Sequence, residues 1–218
     1  MSVRRTLAVL ASAGLASVAG LATASTASAD ERHHCPQPPT LGTRSLATVL
    51  AADRPGFDRN WRDYDIVEAA VGAVLKAKPS SPVKVLADGT VPLTAFIPTD
   101  QAFRNLASDV TKKRYTNEKA VFAAVASLGV NTVETVLLYH VVPGTTIDAR
   151  TALRSDGARL TTAQGGTITV DVRSGKRIYL IDADRDDRNA RVVQPDINKG
   201  NRQIAHGISQ VLRPVNLP

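Results

Sequence analysis

The sequence predicts an α+β fold, and three observations carry that expectation. Apolar residues recur at helical spacing through the first half of the chain. They alternate with polar residues at period two through much of the second half, and no regular strand–helix alternation marks a doubly wound parallel sheet.

The elements follow in order. Leu46, Val49 and Leu50 share one face of a short helix beginning at Ser45. Pro55 to Tyr64 breaks the period, and Ile66, Val67, Ala70, Val71, Val74 and Leu75 then restore it in a second helix, ended by Lys76, Lys78 and Pro79. Val83–Leu86 and Val91–Ile97 read as two strands of a hairpin turning at Asp88-Gly89. Pro98 stops the second of these strands, and Thr99 or Asp100 caps the helix that follows. Val121, Phe122, Val125 and Leu128 form another stripe, with Gly129 as its stop. Asn131-Thr132-Val133-Glu134 has the form of a capping box, opening a helix through Tyr139 that Pro143-Gly144 closes. Ile168, Val170 and Val172 then alternate with polar residues, as do Ile178 and Leu180 beyond the turn at Ser174-Gly175-Lys176, giving an antiparallel hairpin. Ile204, Ile208, Val211 and Leu212 form the last apolar stretch, and no internal repeat is visible.

Length and composition set the outer limits. At 218 residues, one domain plus an N-terminal extra is the expected organisation. Residues 1–29 read as a signal peptide: Arg4 and Arg5, an apolar run from Leu7 to about Ala22, and the small-residue ending Ala27-Ser28-Ala29. Residues 30–42 read as a disordered, Pro-rich leader carrying Cys35, and residues 43–218 as a single domain. The leader's His33, His34 and Cys35 are too loosely held to read as a metal site. Without the signal, 25 basic residues face 20 acidic ones, with no basic stripe and few aromatics. That pattern argues against a nucleic-acid partner and leaves nonspecific attraction to an anionic cell-wall polymer. The expectation is a secreted, extracellular or cell-wall-associated monomer without cofactor, resident metal or transmembrane segment.

Catalytic signatures are scarce. There is no G-x-S-x-G elbow, no H-E-x-x-H and no phosphate loop, so an enzyme would need a cryptic site built from His140 or His206 and a carboxylate, as in an extracellular hydrolase. Asp182, Asp184 and Asp186 fall at the first, third and fifth positions of a calcium loop. Asp187 stands where glycine belongs and Val193 where a bidentate glutamate belongs, so the stretch reads as a turn paired to Arg185, Arg188 and Arg191. Trp61, flanked by arginines, reads either as a lid over the following helix or as a platform for a sugar ring.

Three ordered segments carry a resemblance. Thr94-Ala95-Phe96-Ile97-Pro98-Thr99-Asp100-Gln101-Ala102-Phe103 resembles the first box of fasciclin-like adhesion domains. Leu137-Leu138-Tyr139-His140-Val141-Val142-Pro143-Gly144 is similar to the second box almost without departure. Asp196-Ile197, Asn201, His206-Gly207-Ile208 and Val211-Leu212 resemble the closing segment, with Arg213 where the family commonly has an apolar residue. The resemblance implies a β-wedge of about seven strands with packed helices. It also implies an adhesion or binding module for a cell-surface or extracellular-matrix protein or polysaccharide, rather than an enzyme. Tyr139 and His140, with Leu138 and Val141 beside them, become candidate contact residues, because the Tyr-His motif is implicated in integrin contact in animal relatives. The alternative for both rings is burial with their polar atoms satisfied inside the fold.

Overall fold

The computed structural model describes residues 40–52 and 56–215; the expected signal peptide, Cys35 and most of the expected leader lie outside them. Gly42, the last residue of that leader, is bonded into the fold: its N–H donates to the Gly200 carbonyl (2.8 Å) and its carbonyl accepts from Arg202 N–H (2.9 Å).

Helices α1 (Leu46–Leu50) and α2 (Asp65–Ala77) precede a 3-10 helix, Pro82–Ala87. Strand β1 (Leu93–Pro98) leads into α3 (Asp100–Thr111), α4 (Glu118–Ala126) and α5 (Val130–Tyr139). Then come β2 (Val141–Pro143), α6 (Ala149–Ala152), β3 (Arg159–Thr161), β4 (Thr167–Arg173), β5 (Arg177–Ile181), β6 (Ala190–Ile197) and β7 (Gln203–Ile208). The seven strands form one mixed sheet in the order β2-β1-β7-β6-β5-β4-β3. Its two ends curl together, since Ala163 N–H, just past β3, donates to the Val141 carbonyl of β2 (2.7 Å).

The local chemistry explains most boundaries. Ser45, Thr99, Asn117 and Asp148 each cap a helix by accepting a backbone N–H with the side chain, satisfying donors the first turn leaves free. Between the two chemically possible caps of α3, Thr99 is the one used. The hairpin β4–β5 forms as its alternation predicts, Val170 opposite Leu180 and Val172 opposite Ile178.

Four expectations fail, each for a local reason. Val83–Leu86 is helical rather than extended, because Ser81 caps the turn by accepting Val83 N–H (3.2 Å) and Pro82 suits the first helical position. With that strand gone there is no hairpin at Asp88-Gly89; Asp88 instead folds back to accept from Thr90 N–H (3.1 Å). Glycine is required at 89 by crowding, as a Cβ there would collide with the Thr43 carbonyl. Asn131 lies inside α5, which starts at Val130 with Gly129 (φ +89°) as its cap residue, while Glu134 is drawn away to Lys78. That helix ends at Tyr139, before Pro143-Gly144, because Val141-Val142-Pro143 pairs with β1 as strand β2.

Strand β1, between β2 and β7, is buried along its whole length. Its two faces serve different cores. Leu93, Ala95 and Ile97 join a helical core with Leu46, Ile66, Phe103, Val121 and Leu137. Phe96 joins a second core inside the wedge with Tyr139, Ile168, Val170, Leu180 and Leu212. A strand covered on both faces reads as a continuous apolar run, as parallel pairing usually demands, and β1 does pair in parallel with β7, Phe96 opposite His206.

Gln203, fully buried at the start of β7, ties the helical layer to this pair. Its Oε1 accepts from Leu46 N–H (2.8 Å), and its Nε2 donates to the carbonyls of Val85 (2.8 Å) and Asp88 (2.7 Å). Replacing Gln203 with Leu strands those groups in the interior. The variant is expected to lose about 2–4 kcal/mol, read as a lower urea midpoint at unchanged m-value.

Candidate functional site

The structure turns most of the sequence-derived candidates inward. Tyr139, at the end of α5, is 1% exposed and its hydroxyl donates to the Thr167 carbonyl (2.9 Å). A Cβ on Gly166 would come within 2.7 Å of the Tyr139 ring, so the loop before β4 lies directly on it. His140 is 5% exposed. Leu212 N–H donates to its Nε2 (2.9 Å), which fixes the ring as an acceptor there, so Nδ1 carries the proton and donates to the Val136 carbonyl (2.7 Å). Burial pushes His140 down to about 4, and the ring is neutral at physiological pH. Val141 is buried in β2 and Leu138 is half-buried against the helical core. Tyr139 and His140 therefore spend their polar atoms on backbone from α5, β4 and the C-terminal segment.

His206 is arranged in the same way. Asp196 N–H donates to Nδ1 (3.2 Å), Nε2 donates to the Ile147 carbonyl (2.8 Å), and the Phe96 ring stacks at 6.0 Å. Burial lowers its pKa. Both histidines thus act as backbone staples, and neither ring nitrogen is left to accept a proton from a substrate.

Trp61 is half-buried against the helical core. The Arg104 guanidinium lies 4.6 Å from its ring centroid, occupying one face by cation–π attraction. Its carbonyl accepts from Gln101 N–H (2.9 Å), so the loop is clamped to the start of α3.

The Asp182–Asp187 turn finds a different partner from those expected. Arg213, its side chain 9% exposed, reaches Asp184 (3.1 Å), Asp187 (3.1 Å) and Asp109 (3.0 Å), and its backbone N–H donates to Asp182 (2.8 Å). The residue that departs from the family pattern is the one that binds this loop.

Two concave surfaces remain. The first is a groove of about 630 Å3 between α3, the β4–β5 hairpin, the start of β6 and the residues after β7. Its floor is a chain of amides: Gln101 Nε2 donates to Asn105 Oδ1 (2.8 Å), and Asn105 Nδ2 donates to Gln210 Oε1 (2.8 Å). Its walls carry Arg173, Arg188 and Arg191, all exposed. Arg173 stacks on Tyr179 at 4.2 Å and pairs with Asp171 (2.7 Å), while Arg191 is set by its own N–H donating to Ser209 Oγ (3.0 Å). The second surface is an apolar groove of about 380 Å3 lined by Leu106, Val110, Leu128, Val211, Pro214 and Val215. No histidine or carboxylate lines either groove. Sequence reasoning missed the first groove because its members come from four separated segments; the only signal was the run of arginines around residues 185–191.

A family model described as the fasciclin domain matches residues 70–214, about two thirds of the chain. The chain belongs to the fasciclin family. Among solved structures it is similar to a FAS1 domain pair from the insect cell adhesion molecule fasciclin I, at 19% identity and a TM-score of 0.49, with 69% of this chain and 48% of that chain covered. The chain thus spans about half the length of that structure. No curated protein matches it. Fasciclin domains are a cell-adhesion module family, and in this member the family's Tyr-His box is part of the packing that holds α5 to the sheet.

The His140 geometry makes a pH-dependent prediction. The folded pKa lies near 4 against an unfolded value near 6.5, so the unfolded state takes up a proton first. The stabilisation is complete above about pH 6.5 and is lost as pH falls toward 4, by about 3 kcal/mol in all. His140→Gln does not titrate there. Denaturant titrations at several pH values should show the wild-type advantage over His140→Gln shrinking as pH drops from 7 to 4.5; a constant gap would contradict the assignment.

Proposed function

We propose that the protein is an extracellular adhesion module that holds an anionic polysaccharide of the cell surface or wall in the arginine groove between α3 and β5–β6. One observation carries this reading: Arg173, Arg188 and Arg191 converge on an open groove whose remaining lining is neutral hydrogen-bonding side chains. A row of guanidinium groups suits carboxylate or phosphate groups repeating along a polymer. The amide and hydroxyl groups of Gln101, Asn105, Ser209 and Gln210 suit sugar hydroxyls. Supporting it is the signal-peptide pattern of residues 1–29. Membership of a cell-adhesion family points the same way.

A second reading rests on the other groove. Val110, Leu128 and Val215 are 41%, 39% and 58% exposed along it, an apolar patch of the kind that meets a protein partner. An extracellular hydrolase receives less support, because His140 and His206 are both consumed by backbone contacts.

The test is retention of the full chain on immobilised polygalacturonate, with neutral dextran as the control. Retention on the acidic polymer is expected to fall as salt rises from about 0.05 M to 0.5 M. The double variant Arg188→Ala/Arg191→Ala is expected to bind roughly 5- to 30-fold more weakly, since each exposed charge contact is worth about 0.5–1 kcal/mol. Equal retention of variant and wild type would refute the groove as the site. A binding loss confined to Leu128→Asp would favour the apolar reading.

A further inference from the structure

Asp65, Asp100 and Glu118 are the first residues of α2, α3 and α4, so three helix N-termini meet beneath the loop 56–64. That loop adds Asp58 and Asp63. Asp65 belongs to two groups whose oxygens lie within 4.8 Å of one another: one with Asp58 and Glu118, the other with Asp63 and Asp100. Helix N-termini offset part of this charge. At about half a positive charge each, three of them supply roughly 1.5 charges against five carboxylates.

The two groups differ in how they resolve the rest. In the inner one, Asp100 Oδ1 accepts from Ile66 N–H (3.0 Å), and Oδ2 is buried without a hydrogen-bond donor. Burial, and then the facing Asp63 carboxyl, push Asp100 up to about 8, and a proton shared with Asp63 satisfies that oxygen. In the outer group, burial raises the Glu118 pKa against the backbone hydrogen bond from Asp58, which lowers it. Glu118 is fully buried; its Oε2 accepts from Asp58 N–H (2.6 Å), and its Oε1 is buried with no partner. An orphaned carboxylate oxygen at zero exposure, beside two further carboxylates, is the arrangement a cation would complete.

We propose that Asp58, Asp65 and Glu118 hold one calcium ion, which enters past the exposed Asp58 and fills its remaining positions with water. The donor set is all oxygen, which selects hard cations over zinc or copper. Calcium suits the site best among these, because it accepts an irregular shell of carboxylates and waters, whereas magnesium demands near-ideal octahedral geometry. The ion ties the loop carrying Trp61 to the starts of α2 and α4. This site is independent of the arginine groove and survives if that groove binds nothing.

Thermal unfolding of the full chain tests it, in about 10 mM CaCl2 against EDTA. At the weak affinities typical of extracellular calcium sites, Tm is expected to rise by roughly 3–10 °C, and less in MgCl2. Glu118→Gln and Asp58→Asn should each remove most of the calcium-dependent shift. Asp58 is exposed, so its variant folds even if Glu118→Gln does not, and its Tm in EDTA provides the check. Asp187→Asn, in the turn already filled by Arg213, should leave the shift intact. No shift in the wild type, a shift that survives in Asp58→Asn, or a shift lost in Asp187→Asn would each overturn the proposal.

Discussion

The parallel pairing of β1 with β7 is the constraint on which the rest of the molecule depends. It joins residues more than a hundred positions apart, Leu93 to Gln203 and Pro98 to Ile208, and closing so long a loop is entropically costly before any contact rewards it. The reward comes from both faces at once. Ala95 and Ala205 lie in the helical core, while Phe96 and Ile208 lie in the wedge core, so a shift of one residue would exchange the two sets of side chains. Polar pins then fix the register: Gln203 anchors the start of β7 to α1 and the 3-10 helix, and His140 receives Leu212 N–H just beyond its end. The groove follows from this, because Ser209 and Gln210 are placed by the end of β7 and Gln101 and Asn105 by the helix that follows β1.

Much of the fold was legible where short-range chemistry decides it. The periodicities of α2 and the β4–β5 hairpin are matched by the structure because each presents a simple face to one core, and that of α4 is matched except at Leu128, which lies past the helix end and is exposed. Val83–Leu86 misled because two valines alternating with Lys84 look extended unless Ser81-Pro82 is weighed as a helix start. Strand β6 escaped notice for another reason: register shifts between Val192, Gln194 and Ile197 break its pairing with β7, and its burial does not alternate. The second fasciclin box concealed two elements, since Tyr139 ends a helix and Val141 begins a strand with only His140 between them.

The candidate site was far less legible, because it is a property of assembly. Tyr139 and His140 are prominent in the sequence, and the fold spends them on backbone groups. Arg213 looked like a lapse from an apolar pattern; instead, three carboxylates close around it. The arginine groove and the Asp58–Asp65–Glu118 cluster draw on residues tens to a hundred positions apart, which no local pattern links. The two also separate charge, a cationic groove beside α3 and a carboxylate cluster at the starts of α2 and α4. The modest net charge of +7 over the chain conceals that separation.

The fold buries the Tyr-His box and presents the arginine groove. Amide hydrogen exchange with and without saturating polygalacturonate tests it most directly. Binding at the arginine groove should slow exchange in residues 185–191 and 207–210, with no change across 136–141. Protection centred on 136–141, or on the apolar groove at 106–110 and 211–215, would contradict it.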